Sequence, residues 1–316
     1  MNKKTIFIAG HEGMVGSAIL KLLAPNNNII TANKKTLDLL DQTKVNNFFK
    51  NNKIDEVYLA AAKVGGIYAN NTYPAQFIYE NITIATNVIH SSYTHNVNKL
   101  LFLGSSCIYP KLCNQPIGEK ELLNGYLEPT NEPYAIAKIA GIKMCEAYNR
   151  QYKTDYRCIM PTNLYGPNDT YDVLNSHVIP SLILKLHQAK TNNLQEIKLW
   201  GTGTAKREFL HVNDLAEAAV FVMNLDKKIY DEKVNKNYTH INIGSGIECS
   251  IKELAYMIAE VIGYKGEILF DPNQLEGTPR KILNVDLIHS LGWRHTTDLY
   301  SGLISTYEDF KTMENK

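Results

Sequence analysis

The stretch that most narrows what this chain can fold into is its beginning. Thr5-Ile-Phe-Ile-Ala9 is a short apolar run rich in β-branched residues, and it leads directly into Gly10-His-Glu-Gly13-Met-Val-Gly16. The helical pattern Ala18-Ile-Leu-Lys-Leu-Leu23 follows almost at once. A buried strand, a glycine turn and a helix in that order open a βαβ unit that holds a dinucleotide. The first glycines let the chain turn tightly and approach a pyrophosphate. Gly16 lets the helix pack close to the strand, and the helix N-terminus attracts the phosphates. A glycine triplet alone also makes plain tight turns, and the context on both sides is what separates the two readings.

The same rhythm continues. Asn28-Ile-Ile-Thr31, Glu56-Val-Tyr-Leu-Ala-Ala-Ala62, Lys99-Leu-Leu-Phe-Leu-Gly104 and Arg157-Cys-Ile-Met-Pro-Thr-Asn163 read as strands. Helical patterns lie between them at 42–51, at 75–95 and from Ile136 to Met144, and 63–71 reads as a glycine-containing loop. Alternation of this kind predicts an α/β fold, a Rossmann-type doubly wound parallel sheet covered on both faces. After residue 165 the loops lengthen and the order becomes mixed. The expected organisation is therefore a cofactor-binding domain over 1–165 and a smaller mixed substrate lobe over 166–316, partly interleaved with the first, with the reaction centre between them. Net charge is only +1, so no basic excess points to nucleic acid. The apolar stretch at the N-terminus is too short for a signal peptide or a membrane span, which makes the cytoplasm the expected location. Cys107, Cys113, Cys145, Cys158 and Cys249 are scattered and odd in number, which fits neither a disulfide framework nor a zinc site.

Chemistry enters with Tyr134-Ala-Ile-Ala-Lys138. A tyrosine and a lysine at i and i+4 share a helical face. A free phenol titrates near ~10, and an ammonium one turn away should lower that value enough to make the tyrosine a usable acid or base. The spacing is common on ordinary solvent-facing helices, so other residues must support it. Ser105 does, because it stands just past the carboxyl end of a strand, where doubly wound sheets place their active sites. After the second strand, Lys34 and Lys35 occupy the region where an acidic residue would bind the ribose 2′-hydroxyl of NAD. Two lysines suit a 2′-phosphate, so NADPH/NADP+ is the expected cofactor. Asp38 is placed to contact adenine, and Asp41 reads as the N-cap of the following helix.

With Gly10-x-x-Gly13-x-x-Gly16, Ser105 and Tyr134-x-x-x-Lys138 together, the chain resembles the extended short-chain dehydrogenase/reductases. Within them it is most similar to the GDP-L-fucose synthase family. The similarity runs over nearly the whole chain, through Ala60-Ala-Ala-Lys-Val-Gly-Gly-Ile67, Leu103-Gly-Ser-Ser-Cys-Ile-Tyr-Pro-Lys111, Asn175-Ser-His-Val-Ile-Pro180, Arg207-Glu-Phe-Leu-His-Val212 and Gly277-Thr-Pro-Arg-Lys281. That resemblance implies an NADPH-dependent enzyme, a homodimer, that epimerises a GDP-4-keto-6-deoxy sugar at C3 and C5 and reduces its C4 ketone. It implies Ser105, Tyr134 and Lys138 for reduction, with Cys107 as base and His177 as acid for epimerisation. It implies cofactor contacts from Gly10, Gly13, Met14, Val15, Gly16, Lys34, Lys35, Asp38, Leu39, Ala61, Leu103, Gly104, Lys138, Pro161, Asn163, Leu164 and His177. For the GDP-sugar it implies Ser106, Asn163, Lys185, Trp200, Arg207 and Glu276. No metal is expected, and neither nucleic acid nor a membrane is an expected partner.

Three departures stand against the family pattern. Glu12 replaces a common arginine in the glycine loop, leaving Lys34 and Lys35 to meet a 2′-phosphate alone. Glu276-Gly277 stands where Asp-Gly is common, and Asn168-Asp-Thr-Tyr-Asp-Val-Leu174 is unlike the usual loop before His177. A reshaped sugar pocket is compatible with a C4-reductase of a related hexose or heptose that has no epimerase activity. A non-enzymatic NADP(H)-binding regulator is the remaining alternative, and it has no need of Ser105, Tyr134, Lys138, Cys107 and His177 together.

Overall fold

The computed structural model describes residues 3–172, 176–235, 238–273 and 278–314. The first half builds as β1 (Thr5–Ala9), α1 (Met14–Leu23), β2 (Asn28–Ala32), α2 (Gln42–Asn51), β3 (Glu56–Leu59), α3 (Ile67–Thr72), α4 (Pro74–Thr94), β4 (Lys99–Leu103), α5 (Glu132–Tyr152) and β5 (Asp155–Pro161). The β-branched and aromatic runs are buried along nearly their whole length in β1, β3, β4 and β5, as strands covered on both faces must be. Asp41 caps α2 as expected, accepting from the Lys44 amide at 3.0 Å. The stretch 63–71, expected as a loop, passes at Ile67 into the short helix α3. Asn81 of α4 clamps the turn that precedes it, accepting from the Lys63 amide at 2.9 Å and donating to the Lys63 carbonyl at 3.0 Å.

The second half adds β6 (Asn163–Tyr165), α6 (Val178–Thr191), β7 (Glu196–Trp200), β8 (Lys206–His211), α7 (Val212–Asn224), α8 (Lys227–Tyr230), β9 (Ile241–Ile243), β10 (Glu248–Ser250), α9 (Ile251–Ile262), β11 (Glu267–Asp271), β12 (Arg280–Lys281), α10 (Asp286–Ser290) and α11 (Leu299–Glu314). The large sheet has the order β2-β1-β3-β4-β5-β9 and every pairing in it is parallel. Its strand order reverses between β1 and β3, the place where such sheets open a crevice for ligands. β9 comes from the second half of the sequence, and α7 packs against α1. In the other direction, β6 leaves the large sheet to pair with β8.

Two hydrophobic clusters result. One lies around the large sheet and includes Phe7, Val57, Leu101, Ile159, Leu215 and Ile241. The other gathers Ile183, Leu186, Phe209, Leu254, Ile258 and Phe310 from the later elements. A buried ion pair ties the first together. Arg157 is fully buried and meets Asp155 through two parallel bonds of 2.7 and 2.8 Å. Its remaining nitrogen donates to the Val222 and Leu225 carbonyls at the end of α7. Lys99 donates to the neighbouring Met223 carbonyl at 2.9 Å. Cations placed on the unpaired carbonyls of a helix C-terminus satisfy both hydrogen bonding and the helix dipole. Among the described residues no helix is long and apolar enough to cross a membrane.

Candidate active site

The glycine loop is shaped by backbone contact. Gly10 adopts φ +87°, a conformation other residues resist, and a Cβ there would lie 2.7 Å from the Ala61 amide nitrogen. A Cβ on Gly16 would lie 2.0 Å from the Gly10 carbonyl oxygen, so the strand end and the helix start touch only because Gly16 has no side chain. Gly13 differs from the expectation of a conformationally forced turn. Its φ is −79°, and a Cβ would meet only the Gly10 carbonyl, at 3.5 Å. Its part is to leave α1 without a side-chain cap, so the amides of Met14, Val15 and Gly16 remain available to an anion. These features fit a dinucleotide pyrophosphate. Around that crevice lie Ala61 after β3, Leu103 and Gly104 at the end of β4, and Pro161, Asn163 and Leu164 at the end of β5. Lys34 and Lys35 are exposed in the turn after β2, where the Asn33 carboxamide accepts from the Lys35 and Thr36 amides. Asp38 accepts from the Leu40 amide at 3.1 Å, and the Leu39 carbonyl accepts from Asn87.

At the end of β4 the chain makes one 3-10 turn, Ser106–Ile108, which sets Ser105 and Cys107 on the face toward α5. The Ser105 hydroxyl lies close enough to both the Tyr134 phenol and the Cys107 thiol to pull the pKa of each downward. Lys138 is buried, donates to the Leu103 carbonyl at 2.8 Å and lies 5.7 Å from the Tyr134 ring centre. Its surroundings lower its pKa to about 8, because burial disfavours the ammonium more than the nearby Cys107 supports it. Tyr134 corrects the expectation drawn from the spacing. Although solvent reaches part of its side chain, desolvation together with Cys107 pushes the phenol up, and only the Ser105 hydroxyl pulls it down. Lys138 spends its ammonium on the Leu103 carbonyl, so burial outweighs the expected charge effect.

Cys107 is buried, and desolvation raises its thiol above the ordinary range against the pull of Lys281, Ser105 and Lys138. His177 is the N-cap residue of α6, whose buried face belongs to the second cluster. It is open to solvent yet surrounded by enough protein that desolvation lowers its pKa. Among the described residues it makes no hydrogen bond to Ser105, Cys107 or Tyr134. Lys185 and Trp200 stand together, the ammonium 4.9 Å from the indole ring. Arg207 lies on β8, where one nitrogen donates to the Lys206 carbonyl at 2.8 Å. Asn163 donates to the Glu208 carbonyl at 2.9 Å, and Ser106 is buried beside Cys107. Glu276 lies outside the described residues. No group of three or more His, Cys, Asp or Glu that could hold a metal occurs among the described residues.

Two features carry no signal in the sequence strong enough to assign them. Behind Cys107, the Tyr109 hydroxyl meets His240 Nε2 at 2.6 Å and donates to Asn242, whose amide nitrogen donates to Glu119 at 3.1 Å. This buried network fixes the turn that carries Cys107. The other is Lys281, in register beside Arg207 on β12 and lining one cavity with Cys107.

Comparisons with known proteins identify the family. The sequence pattern of the NAD dependent epimerase/dehydratase family matches residues 6–244. The chain is 55% identical to the GDP-L-fucose synthase of Escherichia coli (strain K12), covering 100% of this chain and 98% of that protein. It is 53% identical to a putative GDP-L-fucose synthase 2 of Arabidopsis thaliana, over 96% of this chain and 90% of the other. Among solved structures it is similar to a GDP-mannoheptose C4 reductase from Campylobacter jejuni with NADP bound. That likeness has a TM-score of 0.90 at 39% identity and covers 98% and 99% of the two chains. By these matches, which accord with its glycine loop and sheet order, the chain belongs to the NAD dependent epimerase/dehydratase family.

Proposed function

We propose that this chain is a GDP-L-fucose synthase: an NADPH-dependent enzyme that epimerises a GDP-4-keto-6-deoxy sugar at C3 and C5 and reduces its C4 ketone. The observation that carries the reading is the convergence of Ser105, Tyr134, Cys107 and Lys138 at the end of β4, beside a glycine loop built for a pyrophosphate. NADPH, when bound, supplies the hydride. The chain's own residues do the rest. The α1 amides and glycines hold the pyrophosphate, and Lys34 and Lys35 meet the 2′-phosphate. Lys138 orders the ribose. Tyr134, kept protonated by burial, gives its proton to the C4 oxygen, and Ser105 donates a hydrogen bond to the same atom.

C3 and C5 each lie α to the ketone, so proton loss leaves an enolate that the same two groups stabilise. Cys107 takes the proton and His177 returns one to the opposite face. Each inversion leaves a proton on Cys107 and takes one from His177, so exchange with solvent, to which His177 is open, resets the pair. Lys185 and Trp200 hold the GDP portion, and Arg207 offers a bidentate fork to its diphosphate. In this reading residues 1–165 with α7 and β9 bind the cofactor, the remainder binds the sugar nucleotide, and the enzyme works as a homodimer.

Incubation with GDP-4-keto-6-deoxy-mannose and NADPH in deuterated water tests the reading by NMR. Deuterium at C3 and C5 of a reduced product is expected. Reduction without deuterium there would instead support a C4 reductase, the reading favoured by the likeness to the heptose enzyme. Cys107→Ser should lose exchange before it loses hydride transfer.

A further inference from the structure

Lys281 is a half-buried cation that the reaction described above does not use. It ends the two-residue strand β12, which lies parallel to β8 with Lys281 opposite Arg207. The strand is pinned on both sides. The Lys206 amide donates to the Pro279 carbonyl at 2.9 Å and the Ile117 amide to the Ile282 carbonyl at 2.8 Å. The Leu283 amide donates to the buried Glu208 carboxylate at 2.9 Å, and the Ile282 amide to the Gln115 side chain at 2.9 Å. These bonds hold the backbone from which the Lys281 side chain projects. Among the described residues its ammonium has no salt bridge or hydrogen bond. It lines the same cavity as Cys107, together with Lys111, Glu128 and Arg280.

We propose that Lys281 is a positioning residue for Cys107, a fixed ammonium that stabilises the sulfur as a thiolate and so lets it accept a proton from carbon. The inference rests on the reading of Cys107 as the epimerisation base. Every charged or titratable group around the pair enters the balance. Facing Cys107 are Lys281 from β12, Lys138 and Tyr134 from α5, and the Ser105 hydroxyl. Lys281 is nearest in effect, ahead of Lys138. Facing Lys281 are Cys107, Cys113 and Glu128, with Arg207 opposing them. Glu128 is already held by Thr130, through its amide and its hydroxyl, with Lys111 3.8 Å away. Cys113 does not line the cavity that Lys281 and Cys107 share, so Cys107 is the group left to Lys281, and the sulfur that burial would keep protonated has its counter-charge there.

The test is a direct titration of the Cys107 thiol. Thiolate absorbance near ~240 nm is followed against pH, subtracting the same titration of a Cys107→Ser variant. In Lys281→Met the Cys107 midpoint should rise by about one pH unit or more, and Lys281→Arg should return most of the shift. Deuterium exchange into substrate in Lys281→Met should fall at pH 7 and recover as pH rises. An unmoved midpoint in both Lys281→Met and Lys281→Gln would overturn the inference. If Lys281→Met does not fold, Lys281→Arg against wild type still reads the midpoint, and a shift upward by the arginine of more than one unit also overturns it. A midpoint that moves as expected while Cys107→Ser keeps full exchange leaves the ion pair standing and removes Cys107 as the base.

Discussion

Replacing Lys138 by methionine should stabilise the protein at neutral pH relative to alkaline pH, and the size of that change can be worked out. The lysine is 5% exposed and its pKa falls from 10.5 to about 8. A lysine with a depressed folded-state value destabilises the fold wherever the unfolded chain would hold the extra proton. The penalty is complete below about pH 8 and disappears above the unfolded value. With about 1.36 kcal/mol per unit, it amounts to about 3 kcal/mol at pH 7 and about 1 kcal/mol at pH 10. The stability of wild type minus that of Lys138→Met should therefore rise by about 2 kcal/mol over this range. The Leu103 carbonyl left without its donor shifts this difference by a constant and leaves its slope untouched. Urea unfolding of both proteins at several pH values measures it. Placing both in a Cys107→Ser background removes the neighbouring thiol from the titration. A difference that stays flat between pH 7 and 10 would refute the claim that Lys138 is held as a desolvated cation.

Other expectations follow from single contacts. Gly16→Ala would force a methyl against the Gly10 carbonyl, costing about 2 kcal/mol and weakening NADPH binding more than tenfold; a melt and a cofactor-fluorescence titration read both. Trp200→Ala removes the ring under Lys185 and should raise KM about fivefold with kcat little changed, in steady-state kinetics. Asp214 is buried and accepts from the Thr296 amide and hydroxyl and the Thr297 amide, at 2.9, 3.0 and 3.2 Å. Its replacement by alanine should cost about 2 kcal/mol in urea unfolding while leaving the activity of the folded enzyme intact.

Much of this molecule is written in local pattern. The buried runs of β1, β3 and β4 are continuous and apolar, and Asp41 opens α2 with an ordinary cap, so strand, turn and helix could be placed from neighbours in the chain. The Ser105–Tyr134–Lys138 grouping was legible for another reason, since each member stands at a recognisable place in that pattern. What could not be read depends on distant partners. His240-Ile-Asn-Ile-Gly244 reads as a strand-like run, but nothing in it says that Ile241–Ile243 joins the large sheet beside β5. The direction of the Tyr134 shift depends on how completely the pocket excludes water, and on the Leu103 carbonyl accepting the hydrogen bond of the lysine. Lys281 sits in a short polar stretch whose meaning comes only from Cys107, more than 170 positions earlier.

The place of β9 in the large sheet has a consequence for how the protein is made. A ribosome that has released the first 161 residues has produced five of the six parallel strands, but β5 then presents an unsatisfied edge of seven buried-type residues. Arg157 on that strand waits for Val222 and Leu225 before its last hydrogen bonds can form. The nascent chain must carry this sticky margin for another eighty or so residues. Fragments ending near residue 165 should therefore collect as aggregates, whereas those reaching past Ile243 can close the sheet.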